Sequence, residues 1–135
     1  MTHIVWRNEY SINISRIDDQ HQNLARLVNE LNESVELGAE MKVLRKQLSE
    51  LIVTTRIHFD TEEDLMRSHG YPDYSNHKVE HDALISYLED TESRLSVGVV
   101  DTFLTNFNVS CDCFIIHMNE RDKKLGAFLN RRDIY

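Results

Sequence analysis

At 135 residues the chain suits one domain with a buried core, and a single Pro, four Gly and 28% charged residues favour long helices over a turn-rich β fold. The formal charge of −8, with basic residues interspersed among acidic ones, argues against nucleic acid and anionic membranes, both of which need a basic patch. No apolar run approaches the ~20 residues of a membrane span, and no basic-then-apolar leader opens the chain, so a cytoplasmic protein is expected.

Residues 1–16 show no sustained period and read as an extended arm, with Trp6 and Tyr10 as anchors. A first helix is predicted over about 17–37, stopped by Gly38, with an apolar stripe through Leu24, Leu27, Val28, Leu31 and Val35. His21 extends that stripe one turn earlier. A second helix, about 40–68, steps by three or four through Leu44, Leu48, Leu51, Thr55, His58, Glu62 and Leu65, and His69-Gly70-Tyr71-Pro72 ends it. The third, about 74–96, carries His77, His81, Leu84, Leu88 and Leu95 on one face. The fourth, about 99–121, runs through Phe103, Phe107, Ser110, Phe114 and His117, and residues 122–135 read as a short extra helix or a docked tail. Cys111 and Cys113 diverge on one helix, which speaks for two buried thiols rather than a disulfide. The pattern predicts a single all-α domain, an up-down-up-down antiparallel four-helix bundle.

Five of the seven histidines, His21, His58, His77, His81 and His117, fall on core faces, together with Glu62 and Asp122. Buried groups of this kind are costly without partners, and metal ions would satisfy all seven. Antiparallel topology tests whether they meet. Around a turn near position 39.5, His21 and His58 are equidistant. Around turns near 71 and 98, Glu62 and His81, then His81 and His117, differ by about one and two residues, only a few Å at about 1.5 Å per residue. All four helices thus place their polar core residues in one layer. The pairs His58–Glu62 and His77–His81 are four apart and share a face. His117 and Asp122 are five apart, which a regular helix does not stack, so a local irregularity or the helix end is required there. His3 and His69 lie outside the layer.

Each feature has a plainer reading: a satisfied core histidine at His21, or an ordinary ion pair at His58–Glu62. The shared layer outweighs these. Five imidazoles and two carboxylates exceed the needs of one ion, so two are expected, and this donor set suits iron better than a closed four-ligand zinc site. Were both carboxylates to bridge, two six-coordinate irons would offer about 12 positions; the seven side chains and one bridging oxygen species would leave about one open.

Asp19-Gln20-His21, the run His58-Phe59-Asp60-Thr61-Glu62-Glu63, Gly70-Tyr71-Pro72-Asp73-Tyr74, His77-Lys78-Val79-Glu80-His81-Asp82, and His117 with Asp122-Lys123 resemble the hemerythrin family, specifically single-domain bacteriohemerythrins, over nearly the whole chain. The resemblance implies a non-haem di-iron centre that binds O2 reversibly, as carrier, store or sensor rather than enzyme. It implies one iron on His77, His81 and His117, the other on His21 and His58, and bridges from Glu62, Asp122 and an oxo or hydroxo group. O2 would bind as hydroperoxide on the iron held by His21 and His58, in a dry pocket of Leu24, Phe59, Cys113, Phe114 and Met118. NO or small anions are further candidate ligands at that position, and an oxygen-consuming or signalling protein a candidate partner. Cys113 stands where the family usually has Trp, and Leu125 where it often has Tyr. A small oxidisable side chain in the pocket wall predicts faster autoxidation than in a Cys113→Trp variant.

Three rival readings remain at this point, one of them a binding module whose O2 site signals to a separate protein. A di-iron oxidase, peroxidase or scavenger of NO or O2 would more often use four carboxylates and two histidines. A His-Asp phosphohydrolase, suggested by His81-Asp82, would need basic residues for phosphate, and Asp82 is expected to point away from the core.

Overall fold

The computed structural model describes residues 3–98 and 100–135. Positions 1 and 2 of the expected arm, and position 99 at the expected start of the fourth helix, lie outside them. Four long helices, α1 (Ser15–Glu36), α2 (Met41–Ser68), α3 (Tyr74–Ser96) and α4 (Val100–His117), are joined by short connections. Sequential neighbours pack side by side, giving an antiparallel up-down-up-down bundle without strands among the described residues. None of these helices is long and apolar enough to cross a membrane.

Glycine chemistry sets the turns. Gly38 and Gly70 have φ of 73° and 64°, a left-handed conformation that costs other residues a steric penalty. Each lets the following N–H reach back to close the helix end, Ala39 N to Ser34 O and Tyr71 N to Met66 O, both 2.9 Å.

After His117 the backbone makes one π-helical turn, Met118–Asp122, and then resumes as α5 (Lys123–Asn130). The extra residue in this turn is the irregularity that the five-residue spacing requires. It brings Asp122 back onto the face of His117.

Two apolar clusters flank the histidine layer. One fills the bundle with Leu24, Leu31, Leu48, Leu95, Phe103 and Phe107. The other closes the opposite end with Ile12, Ile14, Ile17, Met66, Leu125 and Leu129. The arm is held chiefly by Ile4, Ile12 and Ile14, which are buried, whereas Trp6 and Tyr10 are half-buried. Trp6 does lie near the layer, its ring 6.5 Å from that of His21. Arm and α5 are tied by Asn130, whose amide donates to Asn13 O at 3.0 Å. Gly126 lets them touch: a Cβ there would sit 2.4 Å from Ile12 O.

Candidate metal centre

All seven layer residues are buried, none more than 2% exposed. Their ligating atoms form two groups sharing both carboxylates: His77, His81 and His117 with Glu62 and Asp122, and His21 and His58 with the same pair. The oxygens divide accordingly. Glu62 Oε1 lies 3.1 Å from His77 Nε2 and 3.0 Å from His81 Nε2, and Asp122 Oδ1 lies 3.0 Å from both His77 and His117 Nε2. The other oxygens face the other half, Glu62 Oε2 at 2.9 Å from His58 and Asp122 Oδ2 at 3.0 Å from His21.

Several of these close pairs are not hydrogen bonds. His21, His58 and His117 Nε2, Glu62 Oε2 and both Asp122 oxygens are fully buried with no hydrogen-bond partner among the described residues. Leaving so many buried polar atoms unsatisfied would cost about 1–3 kcal/mol each. They aim instead at common centres, as ligands do. Neighbouring ligands at right angles on bonds of about 2.1 Å stand about 3.0 Å apart, the spacing found here. The donor set fits metal ions.

Electrostatics agree. Burial alone would suppress His21 and His77, yet Asp122 and Glu62 override it and raise both imidazoles to about 9. Burial opposes ionisation of Glu62, but His58, His21 and His77 hold it well below the usual carboxylate range. Asp122 is likewise held down by His117 and His21, against burial and the charge of Glu62. The two carboxylates and the imidazoles of His21, His58, His77 and His117 form one charge cluster.

Three residues orient the imidazoles from behind, and the sequence alone did not single them out. His58 Nδ1 donates to Gln20 Oε1 at 2.7 Å, and Gln20 donates to Thr61 at 3.1 Å. His81 Nδ1 donates to Glu63 at 2.8 Å, with Lys78 Nζ 3.3 Å from the same carboxylate. His117 Nδ1 donates to Glu80 at 3.1 Å, and Glu80 also pairs with Arg121. Gln20, Glu63 and Glu80 each adjoin a layer residue in sequence. A helical neighbour is turned by about 100°, which aims it at the adjacent helix instead of the shared centre. That adjacency is the available signal, and it does not say which helix is met. Asp82 is exposed and paired with Lys78 at 2.6 Å, outside the layer as expected.

One turn beyond the layer lies a cavity of about 30 Å³, lined by Leu24, Val28, Leu51, Phe59, Leu84, Phe114 and neighbours. Its two hydroxyls are spent on their own helix, Thr55 on Leu51 O at 2.7 Å and Ser110 on Asn106 O at 2.9 Å. A space of this size admits a diatomic molecule, and an apolar lining keeps it dry.

The pocket expected from the sequence is partly redrawn. Leu24, Phe59 and Phe114 line the cavity, but Cys113 and Met118 do not. Cys113 is exposed, so the expectation of two buried thiols fails for it; Cys111 is buried and lines the cavity instead. The inward face of α4 is set by Phe103, Phe107, Cys111 and Phe114, and Cys113 stands about 100° around the helix from its neighbour Phe114. Met118 is buried in the π-turn, on the far side of His117 from the cavity.

The profile of the hemerythrin HHE cation binding domain matches residues 13–129. This chain belongs to the hemerythrin family. It is 30% identical over 122 residues to a bacteriohemerythrin of Methylococcus capsulatus, covering 90% of this chain and 92% of that one. It is 31% identical over 98 residues to a Pseudomonas aeruginosa bacteriohemerythrin, of which it spans 63%. A crystal structure of wild-type hemerythrin superposes with a TM-score of 0.84 at 29% identity, over 93% of this chain and 97% of that one. The bundle is that of a hemerythrin fold, and the histidine–carboxylate cluster lies within it.

Proposed function

We propose that this hemerythrin holds two iron ions and binds O2 reversibly without turning it over. The observation that carries the reading is the division of the carboxylate oxygens, one of each pair toward three histidines and the other toward two. His77, His81 and His117 would hold one ion, His21 and His58 the other, with Glu62 and Asp122 bridging. Such a pair of ions, when bound, supplies the two electrons that O2 uptake takes and returns. The imidazoles outnumber the carboxylates, a balance that favours the lower oxidation state and release over onward chemistry.

The chain's own residues set the remaining conditions. Phe59 lies flat on His81 at 3.8 Å and edge-on to His117, covering the three-histidine half. Phe114 meets His21 edge-on at 5.8 Å and continues the cavity wall to the two-histidine half. These contacts support O2 binding on the side of His21 and His58. Leu24, Phe59 and Phe114 exclude water there, which slows loss of reduced oxygen species.

The test is iron content together with an optical spectrum before O2, after O2 and after evacuation. Two irons per chain and a band that appears with O2 and disappears under vacuum are expected. One zinc without colour sinks the metal assignment. A band that decays without releasing O2 replaces the carrier by an oxidase or scavenger.

A further inference from the structure

The cavity beside the layer adjoins three outer grooves and shares a single lining residue with each. Ile4 separates it from a groove between the arm and α1, Phe59 from one between α2 and α3, and Leu84 from one between α3 and α4. The three walls differ in how firmly they are fixed. The Ile4 backbone is clamped by Asn29, N to Oδ1 at 2.7 Å and O to Nδ2 at 2.8 Å. Phe59 is pinned by its stacking on His81. Leu84 is only half-buried, with one side on the cavity and the other on the groove.

The grooves differ in chemistry as well. That behind Ile4 carries Arg26, Glu30 and Glu33, and that behind Phe59 carries Arg56, Asp60 and Lys78. The α3–α4 groove, about 290 Å³, is walled by Ala83, Tyr87, Cys113 and Ile116, with Glu80 and His117 at one end. An apolar solute concentrates against apolar walls and is not drawn to charged ones. A leucine on the border of such a groove changes rotamer far faster than a ring held between buried groups.

We propose that Leu84 is the gate by which O2 passes between the α3–α4 groove and the cavity, an inference that rests on O2 binding as read above. A gate lies on the path in both directions. It changes association and dissociation rates together and leaves their ratio alone.

Stopped-flow uptake and release of O2 by the iron-loaded protein tests this. Leu84→Ala is expected to raise both rates about fivefold or more and Leu84→Trp to lower both, with affinity held within about twofold. Leu88 lines the cavity but not the groove, so Leu88→Ala enlarges the cavity and should leave the rates near those of the parent. Unchanged rates in both Leu84 variants, or an equal rise in Leu88→Ala, overturn the gate.

A second measurement does not depend on O2 chemistry. Cys111 lines the cavity while Cys113 lines the outer groove. In a Cys113→Ser background, methyl methanethiosulfonate should modify Cys111 of the iron-loaded protein faster with Leu84→Ala and slower with Leu84→Trp, as followed by mass spectrometry. Equal labelling rates overturn the gate. If the parent forms no reversible O2 adduct, the functional reading falls, and the order of labelling alone decides whether Leu84 guards the cavity.

Discussion

The two halves of the histidine layer share the same two carboxylates but are supported differently from behind. On the three-histidine side, His81 and His117 lean on Glu63 and Glu80, carboxylates that are themselves paired with Lys78 and Arg121. On the two-histidine side, His58 leans on the neutral amide of Gln20; His21 Nδ1, like His77 Nδ1 on the other side, has no hydrogen-bond partner among the described residues. An anionic partner makes an imidazole a stronger ligand and favours the higher oxidation state of whatever it holds. Ligand identity is therefore only half of the design. One half has anionic support behind two of its imidazoles, and the other has neutral support beside the apolar cavity.

The largest break in this comparison is expected at the shared residues. Glu62→Gln or Asp122→Asn takes a ligand from both halves at once, and metal analysis should find both ions lost. His58→Leu touches one half only, so iron should fall toward one per chain, retained by His77, His81 and His117. Equal loss from His58→Leu and Glu62→Gln would contradict two separable sites.

Next come the supporting groups. Glu63→Gln should weaken iron retention by about 10- to 100-fold, measured by competition with a chelator. Gln20→Glu gives the two-histidine half the kind of partner the other half has. Autoxidation should then speed up with iron content unchanged; an unaltered rate would show that the asymmetry behind the imidazoles is immaterial.

Protonation separates the loaded from the metal-free protein. Imidazoles raised from about 6.5 to about 9 by Asp122 and Glu62 contribute stability that is complete below pH 6.5 and is lost as pH climbs through 9. Depressed carboxylates contribute stability present above their ordinary values, 4.5 for Glu62 and 3.8 for Asp122, and lost in acid. The metal-free bundle should therefore be most stable between about pH 4.5 and 6.5. Metal-bound imidazoles are already deprotonated. A Tm series should show the alkaline decline without iron and not with it.

Much of this was legible in the sequence because it follows from period and spacing. The steps of three and four placed His58 and Glu62 inward, and nearly equal distances from the turns put the polar core residues of four helices at one height. The spacing of His117 and Asp122 called for a local irregularity or the helix end, and the structure supplies a π-turn. What stayed hidden depends on rotation about a helix axis at finer grain than a face. Gln20, Glu63 and Glu80 sit on the edges between helices, where the period does not reveal which neighbour they meet. The anchors of the arm were hidden for a related reason. Ile4, Ile12 and Ile14 belong to no repeating pattern, and their burial is decided by α1, α5 and the ends of the bundle.

Cys113 is the sharpest instance, and it carries the smallest expected effect. Four residues before His117 it looks like a wall of the ligand pocket. Yet the face of α4 is centred on Phe107, Cys111 and Phe114, leaving Cys113 in the outer groove. Cys113→Ser should therefore leave the autoxidation rate within about twofold of the parent, since solvent already reaches that side chain. Cys111→Ser is the matched change on the inner side, where burial pushes the thiol up to about 12 and holds it neutral. A hydroxyl there brings a hydrogen-bonding group into an apolar cavity, which invites water and should hasten autoxidation. Measured together, the two serines locate the dry wall. If Cys113→Ser proved the faster to oxidise, the dry wall would lie on the α3–α4 groove and not at Cys111.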